Sequence, residues 1–226
     1  MKQLVDLEMK KMKMNTIIRF GGITCGVFFI YILIYGVLLK QMAREEVKFF
    51  NQVIAYNKFV FTIYIAILIQ KMFSEEIYSK SLSISFTYPI SRSKLLLAKI
   101  VLIIIIGLPF MFGSTLIDII LLGLVNMSFH FLNGNAGLSG MLALLLSALI
   151  QCVLGVAAAF IPLYADVKYA STQITLVTAG VVGFFLYSLI GKSVFGIEWV
   201  FFVVAAAVGI YLMKQSIAYV VEKDVM

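Results

Sequence analysis

Few stretches of this 226-residue chain carry residue types that could do chemistry. Gly137-Leu138-Ser139-Gly140 offers a serine among small residues, but a serine nucleophile needs a base within hydrogen-bond reach. The chain's single histidine, His130, precedes it in a polar stretch. Gly191-Lys192-Ser193 looks like the end of a phosphate-binding loop, yet the glycine required five residues before Gly191 is Leu186. Glu75-Glu76 followed by Lys80 places two carboxylates together, but one histidine cannot complete a metal set, so no metal is expected. Asp118 is the only acid deep in a long apolar run. A carboxylate inside a membrane is costly and marks a substrate or ion path, unless it sits near a span end that water reaches. Its position five or six residues from the expected outer end leaves both readings open.

The elements that must position these residues are membrane spans. The chain is 62% hydrophobic and 13% charged, with a mean hydropathy of +1.06. Soluble domains are about half apolar and about a quarter charged. A core of this size cannot hide the excess, so lipid is the solvent. Cys25 and Cys152 both fall inside apolar runs and read as small buried hydrophobes, with no disulfide framework.

A helix crosses the hydrocarbon with about 20 apolar residues. Such runs occur at Phe20–Leu39, Val53–Ile69, Leu95–Val125, Leu138–Leu163, between Lys168 and Lys192, and at Val194–Met213. The second is interrupted by Asn57 and Lys58, and the third is too long for one bilayer and must tilt or extend. The first lacks a small-residue cleavage site and reads as an uncleaved span. Residues 1–19 form an expected interfacial amphipathic helix, with Leu4, Leu7, Met14 and Ile18 on one face. Gly22 and Gly26 form a GxxxG pair that could pack helices closely. The fold expectation is therefore an all-α integral membrane protein with six transmembrane helices over 20–213, an elbow helix over 1–19 and a cytoplasmic tail over 214–226.

Charge placement sets the orientation. The net charge of +7 does not suggest nucleic acid, because no basic groove with interleaved aromatics is present. Basic residues band at 1–19 and at 71–99, with Lys168, Lys214 and Lys223 on the same side. Lys40, Arg44, Lys48, Lys58 and Lys192 fall on the other. Positive residues favour the cytoplasmic face, so both termini are expected inside the cell membrane. One substantial inner loop, 71–94, remains, and no room exists for a soluble catalytic domain.

That loop carries Glu75, Glu76, Lys80-Ser81-Leu82, Phe86, then Pro89-Ile90-Ser91-Arg92, with Lys99 following. It resembles the corresponding loop of the permeases of the ABC type-2 family, the membrane subunits of ATP-driven exporters. There a Glu, a Gly-Thr or Lys-Thr pair, a Pro-x-Ser-Arg turn and a Lys follow in this order. Ser81 stands where Thr is usual and keeps the hydroxyl. The resemblance implies a coupling helix that seats on a separate ATPase subunit. Its contact residues would be Glu75, Glu76, Lys80, Ser81, Leu82, Phe86, Pro89, Ile90, Ser91 and Arg92, and Pro89 would end the helix and re-aim the chain. Asp166 and Lys168 form a second candidate cytoplasmic contact. ATP and Mg would be held by the partner, with no cofactor on this chain. A second permease copy or a sister permease would complete the path, with Asp118 as its candidate lining residue. The chain is then not an enzyme. The sparsely charged, aromatic and Met-rich spans fit a hydrophobic or amphipathic cargo: peptide, lipid or drug.

Two other resemblances compete. Gly137–Gly140 matches the Gly-x-Ser-Gly of rhomboid intramembrane proteases at the start of a fourth span, and Ser139 is the alternative functional centre. Rhomboids place their histidine in the sixth span, which here has none. Glu75-Glu76-x-x-x-Lys80 is near the Glu-Glu-x-x-x-Arg of membrane CAAX-type proteases, which need further histidines.

Overall fold

In a computed structural model, the described residues are 2–11, 14–38, 46–73, 92–129, 138–169, 171–188 and 198–223, and the regular elements among them are helices. They are α1 (Lys2–Lys11), α2 (Met14–Leu38), α3 (Glu46–Met72), α4 (Arg92–Phe129), α5 (Leu138–Ala158), α6 (Ile161–Tyr169), α7 (Thr172–Ser188) and α8 (Glu198–Lys223).

Five apolar stretches are long enough to cross a membrane: Asn15–Ile34, Phe49–Met72, Ser93–Asn126, Leu142–Tyr169 and Val200–Val220. α7 is equally apolar, but its 17 residues fall short of the usual spanning length. The expected elbow over 1–19 is divided differently. α1 ends at Lys11, and Met14 already belongs to the first long helix. α1 turns Val5 and Glu8 inward, while Leu7 faces out.

α3 is the hub of the bundle. Two-thirds of its spanning window (67%) is buried by the rest of the chain, against 22% for α2 and 28% for α8. Ile54, Phe61, Ile65 and Ile69 are fully enclosed. α7 approaches α3 closely, with Gly183 set against the Phe59 ring and backbone. A glycine there lets two backbones approach without a side chain between them.

The expected fourth span, Leu138–Leu163, is broken. α5 stops at Ala158 and α6 starts at Ile161, because Pro162 has no N–H and its ring collides with the carbonyl four residues back. The Ala159 amide still reaches the Gly155 carbonyl (2.9 Å), and Leu163 bonds instead to Phe160 (3.1 Å). α8 packs directly on this break. A Cβ at Gly209 would collide with the Ala157 carbonyl oxygen. The third expected span is a single 38-residue helix containing Pro109, as its over-long apolar run requires.

Candidate functional site

Two constructions on α3 draw attention. The first lies at its C-terminal end, where the segment expected to carry the coupling residues departs. Glu75, Glu76, Lys80, Ser81, Leu82, Phe86, Pro89, Ile90 and Ser91 lie outside the described residues, and Arg92 opens α4. What the structure describes is the base on which that segment stands. Lys99 of α4 is fully buried, and its Nζ donates to the Met72 carbonyl at 2.9 Å, with the Phe73 ring 5.5 Å away. The last carbonyls of a helix have no partner within the helix and carry the negative end of its dipole. A buried ammonium placed there caps α3 and ties its end to the early turns of α4.

The same end of α3 is tied to the α6–α7 turn. Gln70 Nε2 donates to the Thr172 carbonyl at 2.6 Å. Within that turn the Thr175 hydroxyl donates to Asp166 Oδ1 at 2.7 Å. Asp166 is thus buried in the seam between α6 and α7, and is not on the surface as a second cytoplasmic contact would require. Lys168 is exposed, with its Nζ near the rings of Tyr164 and Tyr169. A carboxylate at the start of α7 suits the positive end of that helix, so Asp166 serves the turn.

The second construction is a polar belt midway along α3. Asn57 Nδ2 donates to Ser114 Oγ at 2.8 Å and to Asp118 Oδ2 at 3.3 Å. Asp118 is 2% exposed and sits well inside α4, which runs on to Phe129. The expectation of a water-reached span end does not describe its setting. One residue further along α3, Lys58 points between α5 and α8. Its Nζ donates to Gln151 Oε1 at 2.7 Å and stands 4.2 Å from the centre of the Phe202 ring. Gly155 leaves room beside it for the Met111 methyl, from which a Cβ would stand only 2.8 Å. Thr115 and Cys152, with Oγ1 and Sγ 3.9 Å apart, join the two halves of the belt.

The belt's two ionisable members each bond a neutral amide, Asp118 to Asn57 and Lys58 to Gln151. Among the described residues no carboxylate lies within ion-pair distance of Lys58. An ammonium in this position is held by a charge-assisted hydrogen bond and a cation–π contact.

Sequence reasoning assigned Lys58 to an outer flank, and the structure corrects this: it is fully enclosed in the middle of α3. The missed signal was the continuation of apolar residues before it, Phe49, Phe50, Val53 and Ile54, which makes Lys58 an interior charge. Gln151 and the capping role of Lys99 were also missed. A Cβ at Gly22 or Gly26 would meet nothing within 4 Å among the described residues, so neither packs closely on a described helix. Ser139 falls in the first turn of α5, while His130 and Lys192 lie outside the described residues.

Comparison with known proteins bears on this geometry. Residues 4–186 match the model of a family described as ABC-2 family transporter protein. Over 108 residues the chain is 33% identical to the uncharacterized protein YcbO of Bacillus subtilis (strain 168), a stretch covering 44% of this chain and 45% of that relative. The match therefore spans about half the relative's length. No solved structure matches the chain.

Proposed function

We propose that this chain, which belongs to the ABC-2 family of transporter proteins, is the membrane-spanning permease subunit of an ATP-driven exporter, moved by a separate ATPase subunit. The observation that carries the reading is the Lys99–Met72 contact, 2.9 Å between nitrogen and carbonyl oxygen. A lever must be stiff where it joins the element it moves, and this contact fixes the base of the 74–91 segment to the most enclosed helix of the bundle. Force applied to Glu75, Glu76 or Arg92 by a partner would pass into α3. From there it would reach α4 and α5 through Asn57 and Lys58, and α7 through Gln70 and Phe59.

In this reading both termini are cytoplasmic, α1 lies at the inner membrane surface and α7 is the fifth of six spans. A single chain with spans of this number cannot enclose a path, so a second copy or a sister permease completes it. ATP and Mg reside on the partner, and its closure would draw the two coupling segments together. Asp118 and the belt around it would border the route taken by a hydrophobic or amphipathic cargo. Nineteen Phe and eleven Met, with few charges, suit such a cargo better than a sugar. The protease reading of Ser139 draws no support from the family match.

Affinity purification of the tagged chain from its native membranes tests the proposal. An ABC ATPase should co-purify and be lost on Glu76→Ala or Arg92→Ala. Recovery of the chain with no ATPase, or an association indifferent to both substitutions, would sink it.

A further inference from the structure

Little holds the Asp118 carboxylate. The side chain is buried, and its one hydrogen bond among the described residues is a long one, from Asn57 Nδ2 to Oδ2 at 3.3 Å. Oδ1 accepts no bond from those residues, and none of their cations pairs with it. Lys58, next to Asn57 on α3, is bonded to Gln151 instead. Asn57 lies inside the Phe49–Met72 span, about 12 Å along the helix from its Phe49 end, so bulk water does not balance the charge. A carboxylate buried in this way ordinarily gathers an opposite charge or several donors.

Oxygens are gathered around it. Ser114 precedes Asp118 by one turn of α4, and residues four apart share a helix face, here the face that Asn57 meets. Asn57 Nδ2 stands 2.8 Å from Ser114 Oγ. The single hydroxyl proton of Ser114 has two acceptors, Asn57 Oδ1 at 3.2 Å and the Met111 carbonyl at 3.0 Å. A half-turn of the Asn57 amide exchanges its nitrogen for its oxygen. Oδ1 then takes the place 2.8 Å from Ser114 Oγ and 3.3 Å from Asp118 Oδ2, with the serine proton on Met111. Three oxygens facing one another repel, unless a cation lies among them. Oxygens held at about 2.0–2.6 Å by one hard cation lie about 3–3.6 Å apart, close to these separations. Asn57 and Ser114 would suffice as polar glue between two helices. Glue has no use for the carboxylate.

We propose that Asp118, Asn57 and Ser114 form a sodium site that joins α3 to α4. One carboxylate is balanced by one positive charge, whereas a divalent ion would leave a surplus charge inside a membrane span. Potassium is larger and would push the three oxygens beyond their spacing. The site stands whether or not the chain exports anything, because it uses only side chains of two packed helices.

The test is binding of radiolabelled sodium to the purified full chain in choline chloride, read by scintillation proximity. Binding should saturate, and unlabelled sodium should displace the label far better than potassium or calcium. Asp118→Asn should weaken binding by about tenfold or more, and Ser114→Ala severalfold. Ser147→Ala, which removes a buried hydroxyl of α5 bonded within its own helix, should leave it unchanged. The thermal midpoint in choline chloride separates loss of a ligand from loss of the fold, and there Asp118→Asn should match the parent. If that variant fails to fold, Ser114→Ala carries the reading, since it removes only a neutral hydroxyl. No saturable binding by the parent, binding that survives either substitution, or displacement by potassium or calcium as effective as by sodium would overturn the proposal.

Discussion

The ammonium of Lys99 sits 2.9 Å from the carbonyl oxygen of Met72, so the first turns of one long helix cap the end of another. The two helices that flank the candidate coupling segment are joined there, beside the apolar packing of Ile69 and Met72 with Leu96 and Ile100. A hydrogen bond from a charged group contributes about 1.5–3 kcal/mol. Lys99→Met keeps the stem and removes the donor, so the thermal midpoint of the purified chain in detergent should fall. Lys99→Arg, which keeps the charge, should recover part of the loss.

Lys58 and Gln151 should show a marked asymmetry. Gln151→Leu removes the amide oxygen that accepts from the fully enclosed Lys58 Nζ (2.7 Å), and stranding a buried donor costs about 1–3 kcal/mol, more for a charged one. Replacing both, as Lys58→Met with Gln151→Leu, leaves no charge to strand and should restore most of the stability. A thermal-unfolding cycle of the two singles and the double would measure it. A double variant as unstable as the sum of the singles would contradict the assignment.

Packing at the α5–α6 break predicts a different kind of loss. A methyl group at Gly209 meets the Ala157 carbonyl oxygen, a backbone atom that cannot swing aside. Gly209→Ala should cost about 1–3 kcal/mol, as overpacking does. Gly22→Ala and Gly26→Ala, which meet open space within the chain, should leave the midpoint of the dispersed protomer unchanged. Differential unfolding of the three variants in detergent checks this.

Asp118 separates path from scaffold. Asp118→Asn keeps the size of the side chain and an oxygen for Asn57, whose amide now stands 3.3 Å from the carboxylate. The thermal midpoint should therefore change little, while the transport rate of the reconstituted complex changes. A fall in both together would make Asp118 a structural residue.

How much of this the sequence carried depends on which surface a residue faces. The charge-free run Phe20–Leu39 and the over-long run Leu95–Val125 announced α2 and α4, because length and apolarity are all that crossing a bilayer requires. The depth of Lys58 was not legible. In lipid the inward and outward faces are both apolar, so no 3.6-residue alternation shows which helix is central. On α4, Ile103 and Ile106 are buried while their neighbour Ile105 is half exposed. The same blindness hid the enclosure of α3, and with it the partners of Asn57 and Lys58. Pro162 stood in plain view, but an apolar run read by length alone passes over it, and the α5–α6 break went unseen. The burial of Asp166 likewise followed from its bond to Thr175, nine residues away across a turn that spacing did not reveal.

The account turns on force passing from a partner ATPase through the base of the 74–91 segment. The direct measurement is ATP hydrolysis and cargo movement, followed together in liposomes holding the complete complex, with Lys99→Met beside the parent. The partner should still bind and hydrolyse ATP, while cargo movement falls by an order of magnitude or more. Hydrolysis and transport that both remain at the parent level would show that the contact between Lys99 and Met72 transmits nothing.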